Sequence, residues 1–188
     1  MGTRLGAVMV LMLSLGNWGC GGPTVRTDFD AAADFTMFRT YAFGGMTDMN
    51  QGGVLNNSLT RKRLENMIGR QLSSKGLQEV GVNDNPDLLV HYWVGVKDKQ
   101  QVVSTGGAAG AYGWRGGYGW GSGYGGVRTY EYTEGTLIVD LVTPARNELV
   151  WRGRVVGTLT ESNERDFQMA NEGIAKAFTE YPPKTNKP

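Results

Sequence analysis

Apolar and polar residues alternate through two neighbouring runs, Gly135 to Val142 and Leu149 to Leu159, joined by the polar stretch TPARNE. Leu137, Val139 and Leu141 project to one side and Thr136 and Asp140 to the other. The pattern resumes at Leu149, Trp151, Val155 and Leu159, so the spacing predicts two half-buried strands. Pro144 and Asn147 suit the turn between them, which makes the pair an antiparallel hairpin. DLLVHYWVGVKD, from Asp87 to Asp98, predicts another strand, with Leu88, Val90, Tyr92, Val94 and Val96 on one side and Leu89, His91 and Trp93 on the other. Apolar residues on both sides place it at the centre of a sheet. Shorter alternations predict strands at Val25–Asp30 and Thr40–Phe43, with Phe35 and Phe38 at a bend between them. RTYEYTE, ahead of Gly135, lengthens the first hairpin strand, with a bulge expected at that glycine. GGMTDMNQGGVLNN, from Gly44 to Asn57, has no period and predicts a loop.

A 3.6-residue period replaces the alternation twice. Leu64, Met67, Ile68 and Leu72 form one stripe, predicting a helix over Ser58–Lys75 that Asn57 or Ser58 caps and Gly76 ends. Phe167, Ala170, Ile174, Ala177 and Phe178 form the second, capped by Ser162 or Asn163 and stopped by Pro182 and Pro183. Arg61, Lys62 and Arg63 read as a solvated helix face, or as a cluster touching anionic lipid. The order β-β-α-β-β-β-α predicts an α+β fold: a largely antiparallel five-stranded sheet with two amphipathic helices packed on one face.

The first residues belong to neither period. A positive start at Arg4 precedes an apolar run from Leu5 to Gly16, too short to span a membrane, so residues 1–19 predict an export signal. The chain's single cysteine, Cys20, follows, with a glycine-rich tether over residues 20–24. That placement resembles the lipidation site of bacterial lipoproteins, where the thiol takes a diacylglycerol and the freed amine an acyl chain such as palmitate. Asn17 and Trp18 stand where such sites carry Leu and a small residue; Gly19 fits. The other reading is ordinary cleavage after Gly16 or Gly19, leaving one thiol.

At 188 residues, with 40% hydrophobic and 20% charged, the rest predicts a single domain over 25–183 and a tail at 184–188. With 19 basic against 18 acidic residues, and Arg4 in the signal, nothing favours binding to nucleic acid. Eleven of the 29 glycines lie between Gly106 and Gly126, inside an insertion spanning 104–127. There Tyr112, Trp114, Tyr118, Trp120 and Tyr124 recur in a six-residue repeat. They read as an aromatic surface for glycan, peptide or a membrane interface, or as a low-complexity extension of a hairpin.

No catalytic constellation emerges. His91 is the only histidine, GxSxG and HExxH are absent, and no Lys-Ser or Lys-Thr pair follows the glycines to make a phosphate loop. One cysteine and one histidine make no multi-ligand metal site, so neither metal nor cofactor is expected. Asp87 and Asp140 could be imagined as an acid pair.

DFTMFRTYAF (Asp34–Phe43), PDLLVHYWV (Pro86–Val94), GTLIVDLV with LVWRG (Gly135–Gly153) and IAKAFTEYPP (Ile174–Pro183), in that order, resemble the bacterial lipoproteins of the domain-of-unknown-function 4136 family. The resemblance implies an exported, lipid-anchored envelope domain and offers no catalytic residues. The expectation is a non-enzymatic binding or scaffolding domain on the periplasmic face of the outer membrane. Its partners would be membrane lipid through acylated Cys20 and an envelope protein or glycan. The rival is an envelope glycan-acting hydrolase using Asp87, His91 or Asp140.

Overall fold

The computed structural model of the protein describes residues 22–48, 57–105 and 126–184. Its strands are β1 (Thr24–Phe29), β2 (Thr40–Asp48), β3 (Gln78–Glu79), β4 (Leu88–Thr105), β5 (Gly126–Thr143) and β6 (Glu148–Thr158). Its helices are α1 (Ser58–Ser74) and α2 (Asn163–Phe178), with a short 3-10 turn at Phe35–Met37. The strands form a six-stranded sheet in the order β1-β6-β5-β4-β2-β3.

The sheet is mixed, not the five-stranded, largely antiparallel one expected. β2 runs parallel to both β4 and β3, while β1, β6, β5 and β4 pair antiparallel. α1 is the crossover that returns the chain to the end where β2 began, so β4 enters in the same direction as β2. β3 is two residues long and has no period to read. β2 continues to Asp48, so the first residues of the expected loop are strand, held by ladder partners on β4 from His91 to Val94.

The hairpin of β5 and β6 turns at Pro144–Asn147, with Asn147 in the left-handed region at φ 53°. β5 shows no break at Gly135, which pairs regularly with Val96 and Gly157. The irregularity lies instead where Leu141 faces Trp151 and Val142 faces Leu149, leaving Val150 as the extra residue of a bulge. Val150 and Trp151 are therefore both buried, and Leu149, expected on the core side, is turned to the other face and 42% exposed.

Both helices lie on one face of the sheet. Asn57 caps α1 by accepting from Thr60 N, and Gly76 takes φ 87° past its end while Leu77 N donates back to Leu72 O. Ser162 caps α2, whose first turn carries Glu164 and Asp166 at the positive end of the helix dipole. The core joins Leu64, Ile68 and Leu72 of α1 and Ile174, Ala177 and Phe178 of α2 to Leu88, Val90 and Tyr92 of β4 and Leu137, Val139 and Leu141 of β5. The Trp151 and Phe178 rings stand 4.8 Å apart, and Tyr181 meets both edge-on. Gly173 lets α2 approach Val155 of β6 with no room for a Cβ.

Candidate functional site

The uncovered face of the sheet carries a polar row built by register alone. Asp28 faces Arg152, Arg152 faces Asp140, and Asp140 faces His91 across four successive strands. Asp140 is 3% exposed although no helix covers it. Its carboxylate accepts from Arg152 Nε at 2.6 Å and Nη2 at 2.5 Å, a two-pronged pair in which Arg152 keeps a half-exposed side chain. Those hydrogen bonds raise the Arg152 pKa above its already high value. His91 lies over Gly44, where a Cβ would collide with the imidazole, and its ring is 6.3 Å from that of Trp93. Half-buried Leu89, Trp93 and Ile138 complete an aromatic and aliphatic surface around the row.

Of the three residues considered for acid chemistry, the fold brings two together and leaves one apart. Asp87 precedes β4 at the end of the sheet, where its Oδ2 accepts from Arg39 N at 2.8 Å and Thr40 N at 2.9 Å. These backbone donors, led by Arg39, hold its carboxyl below the ordinary aspartate range. Asp87 thus fastens the start of β2 to β4. Two buried phenols on the covered face are likewise spoken for: Tyr92 donates to Glu65 Oε1 at 2.7 Å and Tyr41 to Glu79 Oε2 at 3.2 Å. Burial first raises the pKa of both. Cys20 and the aromatic residues Tyr112, Trp114, Tyr118, Trp120 and Tyr124 lie outside the described residues.

Two further features stand out, the first expected in part from RTYEYTE as a lengthened hairpin strand and the second not legible in the sequence. Past the last pair of β5 with β6, Glu134 with Thr158, the strands β4 and β5 continue alone from Asp98 and Thr133 to Thr105 and Gly126. Eight residues a side at ~3.3 Å each make a two-stranded arm about 26 Å long. Lys99 and Glu134 (3.7 Å) and Gln100 and Glu131 (2.8 Å) tie its strands, and Val102 and Tyr130 stand exposed on it. A shallow groove of about 530 Å³ lies at the arm's base, between Tyr130, Tyr132 and Val156, and Gly22 reaches it. The second feature is a cleft on the covered face, where the first turns of α1 and α2 part over the sheet. Its volume is about 100 Å³, and Leu64, Val94, Leu137, Phe167 and Met169 line it. Only alternation and helical period were visible beforehand, and neither reveals where two helix ends diverge.

Among the described residues, no three His, Cys, Asp or Glu side chains are grouped to hold a metal ion, and no helix is long and apolar enough to cross a membrane.

Residues 25–183 match the family model described as "Domain of unknown function (DUF4136)". No curated protein matches the chain. Among solved structures, a DUF4136 family protein from Bacteroides thetaiotaomicron is similar at 19% identity and TM-score 0.56, covering 86% of this chain and 96% of that one. A PelC dodecamer from Paraburkholderia phytofirmans is similar at 14% identity and TM-score 0.47, covering 84% and 95%. A PDZ domain protein from Parabacteroides distasonis is similar at 17% identity and TM-score 0.49, covering 86% of this chain and 36% of that one.

Proposed function

The chain belongs to the DUF4136 family, and from that premise we propose that it is a lipid-tethered domain of the bacterial envelope that binds or scaffolds and catalyses no reaction. The observation that carries this reading is how the acidic candidates are engaged. Asp87 is bound by two backbone amides, and Asp140 is clamped by Arg152 with 3% of its surface exposed, so neither is free to shuttle a proton beside His91.

The tether reading draws support from where the folded body begins. β1 starts at Thr24, four residues after Cys20. Four residues span at most about 14 Å, which would hold the body close to a lipid surface. Gly21, not Asp, follows Cys20, which by analogy with known lipoproteins suits the outer membrane. The binding role falls to the uncovered face and to the arm, whose insertion at 104–127 carries Tyr112, Trp114, Tyr118, Trp120 and Tyr124. An envelope protein or glycan is the expected partner.

Mass spectrometry of the mature protein tests the tether. The expected mass exceeds that of the polypeptide from Cys20 by a diacylglyceryl and an acyl group, and a plain polypeptide mass removes the reading. Crosslinking in intact cells with and without residues 106–125 tests the binding role. Partners should be lost on deletion, and an unchanged set would show the insertion to be dispensable.

A further inference from the structure

We propose that the free β5 edge of the two-stranded arm pairs with the same edge of a second copy of this chain, antiparallel and about a two-fold axis at Thr129. The pairing would hold whether or not Cys20 carries lipid.

A two-stranded ribbon is at best marginal in water, and a third strand or a packed surface is needed to hold it. This one runs eight residue pairs past the body, from Asp98 and Thr133 to Thr105 and Gly126, with Val102 64% and Tyr130 51% exposed. On its β5 side the ladder with β6 ends at Glu134, and Leu159 N then donates to Thr133 O at 2.8 Å. Thr133 therefore turns its backbone away from β4, and by alternation Glu131, Thr129 and Val127 do the same. Among the described residues, the N–H and C=O groups of those three meet no ladder partner, which leaves a strand edge open for pairing. The β4 edge of the arm is different: Lys97, Asp98 and Lys99 follow one another there, and charges at an edge discourage pairing. On β5, Glu131 accepts from Gln100 across the arm at 2.8 Å, leaving Arg128 as the charge that a partner must meet.

The register of the pairing follows from these groups. A two-fold axis normal to the ribbon presents the same face on both copies, so residues of like parity stand opposite one another. With Thr129 on the axis, Thr129 faces Thr129 and Glu131 faces Val127, which engages all three free backbone positions. Arg128 then faces Tyr130 twice, guanidinium against ring, in the closer, non-hydrogen-bonded pairs. Centring on Arg128 would set like charges opposite each other. Centring on Tyr130 would call on the Thr133 carbonyl that Leu159 already engages. The two arms together make a four-stranded ribbon, which meets the requirement that one arm alone does not. The same axis keeps the two Gly22 residues, each bordering the groove at its own arm's base, on the same side of the pair.

The test uses the full chain carrying Cys20→Ser, so that no native thiol remains. Light scattering should give twice the chain mass at high concentration, falling to the single mass on dilution. Thr129→Pro removes an N–H that faces away from β4, so the arm's own ladder is kept. It should raise the dimer Kd about thirtyfold or more, because the axis removes the bond twice, and leave the circular dichroism unchanged. Thr129→Cys should give a disulfide-linked dimer under mild oxidation, since hydrogen-bonded antiparallel partners lie about 5.5 Å apart at Cα. Glu131→Cys should not, because four strand positions, about 13 Å, separate the two thiols. A chain that stays monomeric, a folded Thr129→Pro chain that dimerises as tightly as its parent, or crosslinking of Glu131→Cys as readily as Thr129→Cys each overturns the proposal. Should Thr129→Pro fail to fold, the two cysteine variants decide.

Discussion

On the helix side of the sheet, alternate strand positions are withdrawn from water: Leu88, Val90 and Tyr92 are 0% exposed, as are Leu141 and Trp151. On the other side, the intervening positions of the same strands hold half-buried Leu89, His91, Trp93 and Ile138, together with the Asp28, Arg152, Asp140 row. The backbone ladder is common to both faces, so the contrast isolates what the helices contribute. Where α1 and α2 cover the sheet, stability comes mainly from apolar area, and the buried phenols of Tyr92 and Tyr41 donate to carboxylates. Where nothing covers it, a buried carboxylate is tolerated because a guanidinium on the adjacent strand reaches it while remaining half in water.

That contrast predicts a gradient of mutational effects. The largest lies on the covered face: Phe178→Ala removes a ring packed at 4.8 Å on Trp151 and should destabilise by about 3–5 kcal/mol in urea unfolding. A loss below about 1 kcal/mol would mean that α2 is not part of the same cooperative unit. On the open face, Arg152→Ala strands Asp140 and should cost about 1–3 kcal/mol. The half-exposed guanidinium keeps this below the loss expected for a fully buried pair. Replacing Asp140 and Arg152 together by Asn and Leu should recover part of that loss, and a double-mutant cycle with no coupling would dissolve the row into independent residues.

Asp87 gives a smaller and pH-dependent effect. Its folded pKa is lowered, so its contribution is present above the unfolded value of about 4 and is lost as pH falls through the folded value. Wild type should exceed Asp87→Asn in stability by about 1 kcal/mol at neutral pH, with the gap closing as pH falls through the lowered folded value. A gap that persists in acid would place the effect in packing and not in charge. The smallest change is expected at Leu149, which the bulge turns outward: Leu149→Thr should stay within about 0.5 kcal/mol of wild type. A loss like that of Phe178→Ala would put Leu149 back on the covered face.

How far the fold was legible follows from the range over which each signal acts. Both helices were readable to within a residue or two, because an apolar stripe and its caps lie within one continuous segment. So were the inward faces of β4 and β5, from Leu88 to Val94 and Leu137 to Leu141. Leu149 was misplaced because one extra residue, Val150, inverts the alternation without disturbing composition. The two-residue β3 and the last part of β2 exist only through their ladders, and glycines at 44 and 45 concealed the latter. The candidate residues followed the same rule. His91 and Asp140 could each be named, but that Arg152 occupies Asp140 depends on a register between strands joined by a turn with a bulge beside it.

The sequence by itself determined where the chain alternates, where it coils, which side of each element is apolar, and that the resulting pattern belongs with the DUF4136 proteins. These depend on neighbours within about ten residues, whose spacing is set by backbone geometry. The tertiary structure alone decided that the sheet is mixed, that one face stays open, that Asp140 is buried against Arg152, and that two helix ends part to leave an apolar cleft. Each of these requires segments far apart in the chain to meet at a particular register, and no local period encodes a meeting between strangers.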